Sequence, residues 1–169
     1  GEENCDAFVR HFLTIETGEI PRIGDVYDAF KSYAFGKAEA GQTVEELALA
    51  LSGSAERYSR IALGRESDAQ LRPIFSELEQ IKADVVYPFA LRVYSDYDAG
   101  KLSQDDFVAI VRMVISYVFR RVVCRIPTNS MNKTFAGFAS HIDVENYLAS
   151  VTAHFLNLQS YRRFPTDEE

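Results

Sequence analysis

The sequence predicts an all-α domain of about eight helices packed around one central apolar helix at about residues 103–126. Apolar residues recur at helical spacing along nearly the whole chain, and no window alternates strictly for long enough to make a strand. Glycines, prolines and capping residues punctuate this pattern at helix-length intervals. At 169 residues with 47% hydrophobic side chains, the chain can bury one substantial core, so 1–169 reads as a single domain.

The first helix is expected over about 4–17, with Cys5, Phe8, Val9, Phe12 and Ile15 on one face and Gly18 as its stop. A second follows Pro21 over roughly 24–35, presenting Val26, Tyr27, Phe30 and Tyr33 and ending at Gly36. Thr43-Val44-Glu45-Glu46 is a capping box that opens a third, whose stripe is Val44, Leu47, Leu51, Ala55, Tyr58 and Ala62. Gly53 inside it marks a place for a kink, and Gly64 ends it. The fourth carries Leu71, Ile74, Phe75, Leu78 and Ile81, with Ser67 or Asp68 as cap or Pro73 in its first turn. The fifth opens near Tyr87-Pro88 and closes at Gly100. Ser103 with Asp106 starts the sixth, which Pro127 terminates. Projected at 100° per residue, 107–126 is apolar on nearly every face, the pattern of a buried central helix. A short seventh helix is expected over 129–140, and an eighth from Asp143 with Tyr147, Leu148, Val151, Phe155 and Leu158 inward. The last residues, 162–169, read as a loop and the cap of a further helix.

The net charge of −7 resides mostly at the ends: without Glu2, Glu3, Asp6, Asp167, Glu168 and Glu169 the body holds 19 acids against 18 bases. That balance neither indicates nor excludes nucleic acid. Two distant cysteines, Cys5 and Cys124, are not a disulfide framework, and together with the acidic N-terminus they favour a soluble, cytoplasmic setting without a signal peptide. A membrane span at 107–126 would have to bury Arg112, Arg120, Arg121 and Arg125 at about 2.5 kcal/mol or more each, so a membrane is not an expected partner. His11, His141 and His154 have no neighbours at metal-ligand spacing, no phosphate loop or serine elbow is present, and the carboxylate pairs Asp96/Asp98 and Asp105/Asp106 sit beside helix ends where solvated acids are ordinary. No catalytic or metal-binding residue is therefore expected, and no cofactor.

The most distinctive stretch runs from Arg120 to Lys133. No acid occurs between Asp106 and Asp143, so Arg120, Arg121, Arg125 and Lys133, with Arg112, concentrate positive charge at the junction between the sixth and seventh helices. Two readings are open. The arginines snorkel or pair with acids from other helices while Thr128, Asn129 or Ser130 caps the seventh helix. Alternatively they form an anion site for a phosphate backbone or for an acidic face of another domain.

The string Arg120-Arg121 to Arg125-Ile126-Pro127-Thr128-Asn129-Ser130-Met131-Asn132-Lys133-Thr134-Phe135 resembles a motif of GmrSD-type proteins, the modification-dependent (type IV) restriction endonucleases and their relatives. Three further segments agree with that family in the same order: Phe8 to Leu13 through Gly18-Glu19-Ile20-Pro21 to Lys31, then Tyr87-Pro88-Phe89-Ala90-Leu91 with Tyr97 to Leu102, then Arg163-Phe164-Pro165-Thr166-Asp167-Glu168-Glu169. The resemblance implies a parent with a nucleotide-using ParB-like N-terminal domain bearing D-G-Q-Q-R and a C-terminal HNH-type nuclease that binds metal. Neither motif is in this sequence. The chain is accordingly expected to be the helical segment between the two, a non-catalytic connector in a defence protein, with flanking domains of its parent as partners and DNA contact as a further expectation. Nucleotide and divalent metal would belong to the flanking domains, and the lack of an initiating Met fits an excised piece. The family assigns no role to Pro127, Thr128, Asn129, Ser130 or Asn132. A stand-alone helical protein-interaction module is the alternative.

Overall fold

The computed structural model describes residues 2–167, with side chains from Cys5 onward, and among them holds eight α-helices and no strand. They are α1 (Glu2–Thr17), α2 (Val26–Glu39), α3 (Val44–Ala62), α4 (Leu71–Gln80), α5 (Tyr87–Asp98), α6 (Gln104–Val123), α7 (Met131–Phe138) and α8 (Tyr147–Asn157). Short 3-10 turns precede α2, α5 and α8, follow α7, and form Ser160–Arg162 after α8. Glu168 and Glu169, part of the acidic C-terminus and of the expected closing cap, lie outside the described residues.

Local chemistry sets most helix ends. Thr43 Oγ1 accepts the Glu46 N–H at 3.1 Å while Glu46 Oε2 accepts the Thr43 N–H at 2.9 Å, so the capping box forms. Ser103 Oγ accepts the Asp106 N–H, and Asp68 Oδ1 accepts the Gln70 and Leu71 N–H groups ahead of α4. Two glycine expectations change. Gly36 does not stop α2, which runs on to Glu39; the left-handed turn is made instead at Gly41, at φ +89°. Gly53 leaves α3 unbroken.

The central helix is α5, not α6. Phe89, Ala90, Leu91, Val93 and Tyr94 of α5 are all buried, and α1, α3, α6 and α7 pack around it. Helix α6 lies against α4, α5 and α8, burying Phe107, Ile110, Val111, Val114, Tyr117 and Val118. Its last turns overhang these partners, leaving Phe119, Val122 and Val123 exposed by 60–62%. An all-round apolar projection marks side chains that could be buried; it does not say whether neighbours reach all of them.

The two acids buried in the core, Asp96 and Glu66, are paired. Asp96, 3% exposed, accepts from Arg92 and Tyr147 at Oδ2 and from Lys101 at Oδ1, at 2.7–2.8 Å. The expectation of a solvated helix-end acid fails here because Tyr147 of α8 closes over it. Burial would raise the Asp96 carboxyl, but the hydrogen bonds from Lys101, Arg92 and Tyr147 hold it below the usual carboxylate range. Buried Glu66 likewise accepts the Tyr94 hydroxyl proton at 2.5 Å, and Arg60 donates to the Tyr94 oxygen.

Candidate functional site

The junction between α6 and α7 is built by a helix end that the sequence cannot continue. Ile126 N–H donates to Arg121 O and Arg125 N–H to Val122 O, the paired bonds of a Schellman turn, with Arg125 in the left-handed region at φ +52° where glycine is usual. Pro127 then prevents resumption of the helix. Residues 127–130 cross to α7, whose first residue, Met131, donates its N–H to Thr128 O.

Arg121 organises this crossing from inside. It is 0% exposed, yet no carboxylate among the described residues pairs with it. Its Nη1 donates to Tyr161 O at 2.6 Å and its Nη2 to Pro127 O at 2.5 Å, while its guanidinium lies 5.3 Å from the centroid of the Tyr117 ring. One side chain thus ties the junction to the segment that follows α8. The same segment is held by Tyr117, whose hydroxyl donates to Arg162 O at 2.8 Å and whose ring packs against Phe155 and Phe164. Arg120 adds a bond to Pro165 O and an ion pair with Asp167 at 2.5 Å. Burial raises the Tyr117 phenol above its ordinary value, with Arg121 and Arg162 opposing the shift, so it remains a donor to the carbonyl across neutral pH.

The four predicted cations therefore divide. Arg120 and Arg121 clasp the segment after α8, Arg125 projects from the helix end, and Lys133 lines a cleft of about 410 Å³ with Pro127, Asn129, Ser130, Tyr161 and Arg162. Pairing with an acid is realised at Arg120, whereas Arg121 uses backbone carbonyls. The motif also divides: Asn132 faces away from the cleft, into a small hollow with His11, Asp84 and Pro88.

No side chain caps α7. Ser130 occupies the cap position in a helical conformation (φ −96°, ψ −10°) instead of an extended one, and its Oγ is closed off from solvent without a hydrogen-bond partner. Its backbone carbonyl accepts both the N–H and the hydroxyl of Thr134. The expected capping by Thr128, Asn129 or Ser130 is replaced by this turn geometry.

Tyr161 and Arg162, the second wall of the cleft, do not emerge from sequence reasoning. The only hint was a Tyr-Arg-Arg run in a segment without helical periodicity. Elsewhere, His154 lies edge-on to Phe138 at 4.3 Å and stacks on His141 at 4.1 Å. Among the described residues no group of three or more His, Cys, Asp or Glu side chains is placed to hold a metal, and no helix is long and apolar enough to cross a membrane.

Comparison with protein-family models, with curated proteins and with solved structures finds no match to this chain.

Proposed function

We propose that this chain is a non-catalytic helical connector of a GmrSD-like DNA restriction protein, orienting a nucleotide-using domain and a nuclease domain that flank it. The observation that supports this reading is the clasp on the segment after α8. Arg120, Arg121 and Tyr117, all on one face of α6, hold backbone carbonyls of Tyr161, Arg162 and Pro165. A connector transmits orientation only if its outgoing chain is fixed to its body. A buried arginine whose two terminal nitrogens each hold a loop carbonyl, with its plane against an aromatic ring, suits that task better than it suits catalysis. The reading is tested by the gene's reading frame: D-G-Q-Q-R encoded upstream and an HNH motif downstream are expected, and a frame containing neither overturns it.

A second reading, a protein-interaction module, has one observation in its favour. Phe119 and Val122 stand exposed beside a groove lined by Ile81, Ile115 and Val118 together with Glu77 and Gln80, a largely apolar surface of the kind that marks an interface. The same ridge serves a connector equally well as a seat for a flanking domain. Self-association of the isolated chain that Phe119→Ser abolishes would favour the module.

A further inference from the structure

The cleft beside the junction has walls of two kinds. Residues 127–133 supply Lys133 on the first turn of α7, and the turn Ser160–Arg162 supplies Arg162. Among the described residues no carboxylate lines the cleft. Arg121 lies behind both walls, its guanidinium bonded to Pro127 O on one and Tyr161 O on the other. It is wholly buried, its charge is not cancelled by an acid among the described residues, and its Nε has no partner. Ser130 lines the same cleft with an unpartnered hydroxyl, and the uncapped first turn of α7 starts there. Lys133 and Arg162 at the cleft, the Arg121 charge buried behind them and the N-terminus of α7 make a local excess of positive potential. A tetrahedral oxyanion matches it.

The remaining lining residues narrow the class of anion. Tyr161 is 54% exposed and presents a flat ring, with the Arg162 guanidinium only 5.7 Å from its centroid, so a stacking surface adjoins a phosphate-binding group. Asn129 adds an amide that can donate and accept. The volume of about 410 Å³ lies in the range of small-molecule sites, roughly 300–1,000 Å³. A phosphate attached to a base uses all of these features, whereas a duplex keeps its bases stacked internally and offers only its backbone.

We propose that the cleft between the Pro127–Ser130 junction and the Ser160–Arg162 turn binds a nucleotide, its phosphate held by Lys133 and Arg162 and its base stacked on Tyr161. The assignment does not depend on the connector role: a chain with an empty cleft could still orient two domains, and a nucleotide-binding chain need not.

Fluorescence anisotropy with a short labelled oligodeoxynucleotide, single-stranded or as a blunt duplex, tests it at several salt concentrations. Saturable binding that favours the single strand is expected. Lys133→Ala and Arg162→Ala should each weaken it about tenfold and lower the salt slope by about 0.7. Tyr161→Ala should weaken it by a similar factor with little change in slope. Thermal melts establish that each variant is folded. Arg112→Ala, half a turn round α6 and roughly 13 Å along it from Arg121, should leave binding unchanged. Competition distinguishes the sources: displacement by a mononucleotide, but not by inorganic phosphate, assigns the site to free nucleotides, and displacement only by unlabelled strand assigns it to nucleic acid. Absence of saturable binding to strand and mononucleotide alike would overturn the proposal. So would a duplex bound as tightly as the strand, displacement by inorganic phosphate alone, or indifference to all three substitutions in folded variants.

Discussion

Acidification should destabilise this fold well above the pH at which its carboxylates titrate, and His11 is the reason. Its side chain is 5% exposed, wedged between the rings of Tyr58 and Tyr87 at 5.9 and 5.6 Å. Burial, with Arg10 as a smaller contributor, lowers its pKa from 6.5 to about 4. From about one pH unit above 6.5 upward the imidazole is neutral whether the chain is folded or not, so there it contributes no pH dependence. Below 6.5 the unfolded chain takes up a proton that the folded one refuses, and stability falls until the folded pKa is reached. Between pH 7.5 and 4.5 the loss works out at about 2–3 kcal/mol, equivalent to a fall in Tm of roughly 5–10 °C for a chain of this size. His11→Phe keeps an aromatic ring at the site and removes the titration. Melts of both proteins across this range should show the parent losing several degrees more than the variant. His154, also shifted down by burial and by His141, is common to both and cancels in the difference. Equal losses of Tm in the two proteins would refute the reasoning.

Asp96→Asn should cost about 3 kcal/mol or more in a urea titration at pH 7, because it leaves Arg92, Lys101 and Tyr147 facing a neutral group. Its folded pKa is depressed, so the stability Asp96 contributes is present above the unfolded value of about 3.9 and is lost as pH falls through the lower folded one. Arg125→Gly should raise stability by up to about 1 kcal/mol, because glycine occupies φ +52° without strain; a lower Tm would show that the arginine makes a contact worth more than that strain. Val118→Asp, which buries an unpaired charge on the inward face of α6, should cost several kcal/mol, whereas Glu46→Gln keeps its side-chain carbonyl in the capping box and should cost under about 1 kcal/mol. Similar shifts in the melts of these two would contradict the placement of α6.

The helical architecture was legible because its signals are local. Capping at Thr43 and Ser103, the stops at Gly18, Gly64 and Gly100, and the break at Pro127 each depend on residues within one or two turns. The arrangement of the helices was less so. Periodicity ranked α6 as central because 107–126 projects apolar side chains on nearly every face, while α5 holds the centre despite Arg92 and Asp96; Asp96 finds partners on α8 and in the loop after α5, which pattern reading cannot see. At the site, the concentration of cations at 120–133 was plain in the sequence. Their division was not, because it is decided by Tyr161, Arg162 and Pro165, 28 to 45 residues further on, whose backbone carbonyls carry no signature of residue type. A buried arginine looks like any other arginine in a sequence until the carbonyls that satisfy it are located.

The central claim is that α6 fixes the segment after α8 to the body of the domain, and a distance measurement tests it most directly. With Cys124→Ser in place, spin labels at the exposed Cys5 and at Asp167→Cys report the separation between α1 and the clasped segment by pulsed electron resonance. Loss of the Arg120–Asp167 pair matters little, since an ion pair so exposed contributes at most about 1 kcal/mol and Arg121 and Tyr117 remain. The account predicts one narrow distance distribution, and a broad one when Arg121→Met releases the carbonyls of Pro127 and Tyr161 in a protein that still melts cooperatively. A broad distribution with Arg121 present, or a narrow one unaffected by its removal, would contradict it.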